Sequence, residues 1–168
     1  ALSECVLAVH HFMGADAIQN MYTDNSKELL ALGRELEVPH DTSTPYRHQS
    51  NGIMERSIGV VQELARTVLH QAGLGWEFWP IACKYSSFAL NLRQRMGESS
   101  PFFQRFGSHF AGTNFPFGAL VSYLRSDAPS QTQHKFQATA RRGLFLGWVF
   151  HGGFHFTGDY LIPDLDQY

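Results

Sequence analysis

From Met54 to Leu69 the apolar residues Met54, Ile58, Val61, Ala65, Val68 and Leu69 recur at helical intervals. At about 100° per residue they form one stripe, and Glu55, Gly59, Gln62 and Arg66 fall together on a neighbouring face. Ser50 or Asn51 can cap this helix, its side-chain oxygen accepting from the first backbone N–H groups. A helix of this length with a single apolar stripe must pack that stripe against other elements, which demands a folded domain. Glu55 borders the packed side and stays within reach of solvent.

The chain has 168 residues, 43% hydrophobic and 17% charged, which suits one globular domain or a domain with a small appendage. No window approaches eighteen uninterrupted apolar residues, and no basic stretch precedes an apolar one at the start, so neither a membrane span nor a signal peptide is expected. Cys5 and Cys83 form no framework or metal-type spacing, which fits a reduced intracellular setting. The first residue is Ala1 rather than Met, as in a processed or partial product.

Along the chain, Leu2, Cys5, Val6, Val9, Phe12 and Met13 predict a helix that Gly14 stops. A short strand over Ala17–Tyr22 leaves Asp24 just beyond its end. Lys27–Leu36 reads as a short helix broken before Pro39, and Thr42–Gln49 as a loop rich in turn formers. A further helix runs from Trp76 to about Arg93, with Pro80 in its first turn and Trp79, Ala82, Cys83, Ser86, Ala89 and Leu90 on its packed face. Beyond Gly97 the texture changes. Phe and Gly are frequent from Pro101 to Pro116, and β-like runs follow at Ala119–Leu124, Gly143–Val149 and Gly153–Ile162. The expected division is residues 1–100, a linker over 101–116, and a small β-domain over 117–168.

Charge is unevenly distributed. Residues 1–41 hold seven acids against two bases, whereas residues 42–142 hold eleven bases, nine of them Arg, against five acids. Arginine forks match phosphate oxygens, though a solvated face gives the same count. Other features read more simply as structure. His10 and His11 suit a packed or solvent-facing pair; His151 and His155 lie four apart in a β segment, a poor spacing for a shared metal. The Phe102–Phe117 stretch suits core filling rather than base stacking, and Arg141-Arg142 a solvated turn.

Two acids sit in polar motifs that a packed core does not require. Asp24 lies in Thr23-Asp24-Asn25. Glu55 lies in a block beginning Ser43-Thr44-Pro45-Tyr46, continuing His48-Gln49-Ser50-Asn51-Gly52 and ending Glu55-Arg56. Together with Ala65-Arg66-Thr67-Val68-Leu69, Trp79-Pro80-Ile81-Ala82 and Asn91, these strings resemble the integrase core of copia-type (Ty1/copia) retrotransposons. The strings Phe117-Gly118-Ala119-Leu120-Val121 and Arg142-Gly143-Leu144-Phe145-Leu146-Gly147-Trp148 resemble the small SH3-like β-domain that follows that core. The likeness covers nearly the whole chain.

The resemblance implies an α/β, ribonuclease-H-like fold in which an Asp, Asp, Glu triad holds two Mg2+ or Mn2+ ions about 3.5–4 Å apart for cutting and joining DNA strands. Asp24 matches the second acid and Glu55 the third, so these are the implied catalytic and metal-binding residues. Gln49, Asn51, Arg56 and Arg66 are the implied nucleic-acid contacts. The implied partners are DNA (element ends and target), the upstream part of the polyprotein and further copies of the chain, with the nucleus as the place of action.

The departures from the pattern concern the beginning of the domain. Only Glu4 and Asp16 precede Asp24, and neither occupies a position suited to the first acid. On this reading the fold lacks its leading strands, which leaves a sheet edge and helix faces uncovered and solubility poor. No His-His-Cys-Cys zinc module is visible. Two possibilities stand at this point: part of an integrase, or an inactive remnant serving only as a DNA-binding or structural module.

Overall fold

A computed structural model describes residues 2–43, 52–94, 96–124 and 140–165. The chain divides into two compact units, residues 1–60 with 150–157, and residues 61–149 with 158–168. This division differs from the sequence-based one, which placed its linker at 101–116.

In the first unit, helix α1 (Leu2–Met13) ends where expected. Gly14 adopts φ +60°, and its N–H donates to the His10 carbonyl at 2.9 Å. A Cβ on Gly14 would collide with the backbone of Gly153, so glycine permits both the turn and the close approach. The Phe12 and Phe154 rings meet edge-on beside it, 5.2 Å between centroids.

Strand β1 (Met21–Thr23), helix α2 (Lys27–Glu35) and strand β2 (His40–Thr42) follow as a β-α-β unit. The strands pair in parallel, Met21 with His40, Tyr22 with Asp41 and Thr23 with Thr42. The expected strand over Ala17–Tyr22 is therefore shorter and begins later, and β2 lies just ahead of the expected loop, sharing only Thr42 with it. Its three mixed residues carry no strand signal of their own; pairing with β1 makes them a strand. The rest of that loop from residue 44 on, and the expected helix caps Ser50 and Asn51, lie outside the described residues. Helix α2 starts at the N-cap Ser26, whose Oγ accepts from the Leu29 N–H at 3.3 Å. Leu32 is the one apolar side chain that the described residues of this unit bury, apart from which only Gly33 is enclosed.

Helix α3 (Gly52–Ala72) realises the long amphipathic stretch, but its stripe is not packed along its whole length. Ala65, Val68 and Leu69 are buried, whereas Met54 and Ile58 are each 51% exposed. Periodicity places side chains on one face; burial depends on a neighbour being there.

In the second unit, Ala65, Val68 and Leu69 join Ala82, Phe117 and Leu146 in the main apolar cluster. Helix α4 (Trp79–Leu92) follows a 3-10 turn at Trp76–Phe78, with Pro80 in its first turn. It buries Ala82, Ser86 and Phe88. Trp79, expected on the packed face, is 57% exposed at the first helical position, ahead of the turn that packs. The expected linker contains helix α5 (Pro101–Phe106), which starts on a Ser100 Oγ cap to the Phe103 N–H (3.2 Å) and stops at Gly107, φ +67°.

Among the described residues four strands follow in place of three: β3 (Ala119–Leu124), β4 (Ala140–Phe145), β5 (Gly147–His151) and β6 (His155–Leu161). β3 pairs antiparallel with β4, and β5 pairs with β6. The expected run Gly143–Val149 is broken at Leu146, between β4 and β5, and the next residue, Gly147, has a φ of +149° that suits glycine.

Aromatic rings fill the centre of this unit. Phe145 is fully buried and lies 5.2 Å from Trp148, on which Tyr85 stacks at 5.2 Å and 8°. Phe88 and Phe110 contact Trp148 as well, at 4.8 and 5.9 Å. The Trp148 Nε1–H donates to the Thr113 carbonyl at 3.0 Å, and the Thr113 N–H donates to the Tyr160 hydroxyl at 3.0 Å. Phe117 is buried and Phe102, Phe110 and Phe115 are half-buried against other rings of this unit, whereas Phe106 in the same stretch is exposed. Arg141 and Arg142 lie in β4 rather than in a solvated turn, and Arg141 pairs with the largely buried Asp164 at 2.8 Å.

Two outcomes are expected from this core. Ser86 Oγ is buried without a hydrogen-bond partner, so Ser86→Ala removes a desolvated hydroxyl and should raise stability by about 1 kcal/mol in urea unfolding. Burial pushes the Tyr85 phenol above its ordinary value of 10.0, against the opposing pull of a backbone hydrogen bond at Phe117. The folded state therefore holds that proton more tightly than the unfolded one. Its contribution to stability is complete below about pH 10 and falls as pH rises beyond that. Melting temperature followed through that range should decline less steeply in Tyr85→Phe.

Candidate functional site

Asp24 immediately follows β1 and is exposed. Three features fix its backbone. Its Oδ1 accepts from the Ser26 N–H at 3.0 Å, an Asx-type turn leading into the capped start of α2. The Thr23 hydroxyl donates to the Asp24 carbonyl at 2.8 Å. On the far side of the same turn, the Ser43 N–H donates to the Thr23 carbonyl and the Asn25 Nδ2 amide donates to the Ser43 carbonyl, both at 2.8 Å.

His40 completes this arrangement. In β1 and β2 alternate residues share a face, and Thr23 and His40 are both half-buried on their strands' inner faces. The His40 Nε2 lies 2.7 Å from Thr23 Oγ1. Since the hydroxyl proton is directed to the Asp24 carbonyl, Nε2 carries the proton and Oγ1 accepts it; this tautomer is assigned from the network. The other side of the imidazole fills the space over Gly33, where a Cβ would meet Nδ1 at 2.5 Å.

Glu55 lies in the first turn of α3 and is exposed. A carboxylate there also complements the positive end of the helix dipole. Arg56 is exposed beside it. Exposed apolar side chains surround this turn along the helix, Ile53 at 84% and Met54 at 51%. Arg66 is exposed on the part of α3 that belongs to the second unit. Gln49 and Asn51 lie outside the described residues.

Carboxylate oxygens are suitable donors for Mg2+ or Mn2+, and Mg2+ is commonly held by one or two carboxylates with waters and substrate phosphates completing the shell. Asp24 and Glu55 fit that chemistry in donor type. Among the described residues no group of three or more His, Cys, Asp or Glu side chains is placed to hold a metal ion. His151 and His155 lie at the end of β5 and the start of β6, and His151 Nε2 is 3.1 Å from Thr157 Oγ1.

Comparison with known proteins gives relatives for the chain as a whole. The chain is 29% identical over 141 residues to the retrovirus-related Pol polyprotein from transposon RE1 of Arabidopsis thaliana. It is 30% identical over 141 residues to the polyprotein from transposon RE2 of the same plant. The chain is homologous to copia-type retrotransposon Pol polyproteins. The matches cover 78% of this Pol-related chain and 9% of the length of each polyprotein. No family profile matches it. Among solved structures, a chain from the simian T-cell lymphotropic virus intasome in complex with PP2A regulatory subunit B56 gamma is similar, with a TM-score of 0.48 and 18% identity. That likeness covers 86% of the Pol-related chain and 55% of the other, and is too loose to decide topology. No described helix is long and apolar enough to cross a membrane.

Asp24 and Glu55 are candidates that the sequence singles out, whereas His40, beside Asp24, is not. Nothing near His40 marks it, because its partners Thr23 and Gly33 meet it only once β1 and β2 pair. Both acids are exposed, so the Pol-related chain should tolerate their neutral isosteres. Asp24→Asn keeps an oxygen for the Ser26 N–H and Glu55→Gln keeps the helix, and each should stay within about 0.5 kcal/mol of the parent in urea unfolding. Asp24→Ala loses the turn-closing bond and should cost about 1 kcal/mol.

Proposed function

We propose that this chain is the integrase-related region of a retrotransposon polyprotein and acts on DNA during integration. The observation that carries this is the placement of Asp24 at a strand end, ahead of a capped helix, with Glu55 in the first turn of a long helix, in a chain homologous to Pol polyproteins. In this proposal the β1–α2–β2 unit and α3 belong to a ribonuclease-H-like core, and β3 to β6 to an SH3-like appendage. Asp24 and Glu55 are the second and third acids and bind Mg2+ or Mn2+. A divalent ion bound there would polarise a phosphodiester and favour ionisation of the attacking hydroxyl. Gln49, Asn51, Arg56 and Arg66 contact DNA, in the nucleus, with further polyprotein sequence and other copies of the chain as partners.

A second proposal is a DNA-binding role without turnover. It is favoured by the lack of any group of three metal-ligating side chains among the described residues, since two acids alone do not make the triad.

Fluorescence anisotropy with labelled duplex DNA across a salt series tests the DNA-binding element common to both. Binding should weaken linearly on a log–log plot, and Arg56→Ala and Arg66→Ala should each lower the slope by about one. No binding even at low salt would sink both proposals. A strand-transfer assay with Mg2+ or Mn2+ then separates them. Turnover abolished by Asp24→Asn or Glu55→Gln supports the integrase reading, and DNA binding without turnover supports the other.

A further inference from the structure

We propose that His40 is a positioning residue that holds Asp24 in place for metal binding, acting through Thr23. This rests on the assignment of Asp24 as a metal ligand. The Asp24 turn has little apolar packing to fix it. The strands flanking it have three residues each, and two-stranded pairs of that length are weak on their own. Leu32 alone supplies a buried apolar side chain among the unit's described residues. Directional polar contacts must therefore set where Asp24 points.

The imidazole is the centre of those contacts. It stands over Gly33 of α2, where any Cβ would strike Nδ1 and Cγ, and it donates from Nε2 to Thr23 Oγ1 at 2.7 Å. Thr23 Oγ1 passes its own proton to the Asp24 carbonyl at 2.8 Å. His40 thereby ties α2, β1 and the Asp24 backbone together, while the Asp24 Oδ1 holds the Ser26 N–H. Oδ1 accepts from that amide, and Oδ2 has no part in the turn bond. Loss of the imidazole leaves Thr23 Oγ1 without its donor, and so loosens the hydroxyl that holds the Asp24 carbonyl. Outer-shell partners of this kind typically change metal affinity by about 10- to 100-fold.

The test uses the purified chain with Mn2+ as the probe, and reads two independent signals by NMR. The first is hydrogen exchange at the Ser26 and Ser43 amides, which needs no metal. The second is the Mn2+ concentration that broadens the amides of residues 24–26. In His40→Ala both amides should exchange at least about tenfold faster and broadening should require about tenfold more Mn2+. His40→Gln, which keeps a donor near the Nε2 position, should restore both. Gly33→Ala, which displaces the ring while leaving it in the chain, should reproduce His40→Ala. If His40→Ala fails to fold by circular dichroism, Thr23→Val removes the hydroxyl at constant shape and takes its place.

Unchanged exchange and unchanged Mn2+ broadening in a folded His40→Ala or Thr23→Val protein would overturn the proposal. Faster exchange with an unaltered Mn2+ response would also overturn it, since the tether would then be structural only. If the parent chain shows no broadening at residues 24–26, the ligand assignment of Asp24 fails, and the positioning role falls with it. The exchange data still report whether the tether exists, so that failure is distinguishable from a failure of the tether.

Discussion

The packing of Trp148 and Phe145 against Tyr85 and Phe88 is the interaction on which the second unit depends. Phe145 comes from β4, Trp148 from β5, and Tyr85 and Phe88 from α4, so one aromatic contact joins three elements far apart in sequence. Such rings bury large areas and favour offset or edge-on geometries, which fixes orientation as well as proximity. The neighbouring aliphatic cluster of Ala65, Val68, Leu69, Ala82 and Leu146 adds the second half of α3. Polar groups drawn into this core are paired: Trp148 with the Thr113 carbonyl, Thr113 with Tyr160, and Tyr85 with the Phe115 carbonyl. Ser86 is the exception among the described residues.

The first unit is held by different means. With Leu32 as its buried apolar side chain, it relies on a parallel strand pair, a capped helix, a glycine–glycine approach and a short run of side-chain hydrogen bonds. Such contacts are directional but individually modest, each worth about 0.5–1.5 kcal/mol net. They suit a turn that must present a charged group to solvent, because a carboxylate cannot be placed by burying it. Asp24 is therefore oriented by the groups behind it. The same logic explains why the exposed apolar side chains along the first turns of α3 lie beside the exposed Glu55: nothing in the described unit covers them.

Much of the local structure is legible from residue pattern. Gly14 ends α1, α2 begins at Lys27, Pro80 sits in the first turn of α4, and β3 runs over Ala119–Leu124, as the pattern marks. Each signal is local, acting within a turn or two of backbone. Failures occur where the cause is distant. β2 exists because Met21 and Thr23 offer a ladder to His40–Thr42. Met54 and Ile58 continue the stripe of Ala65 and Leu69 but lack a facing element. Helix α5 is different: Ser100-Pro101 and Gly107 are adequate start and stop signals, overshadowed by the Phe- and Gly-rich texture around them.

Of the candidate site, the sequence singles out Asp24, Glu55, Arg56 and Arg66 as candidates by their motifs. The sequence by itself determines which acids are available, where the long helix runs and which residues cap and stop the helices. Tertiary structure alone decides that half of the α3 stripe is packed, that Arg141 turns to Asp164, and that His40 reaches Thr23 across a strand pair. The physical reason is range: capping, helical periodicity and glycine torsions act between neighbours in the chain. Burial and side-chain hydrogen bonding act between neighbours in space, and those are chosen only when the strands and helices come together.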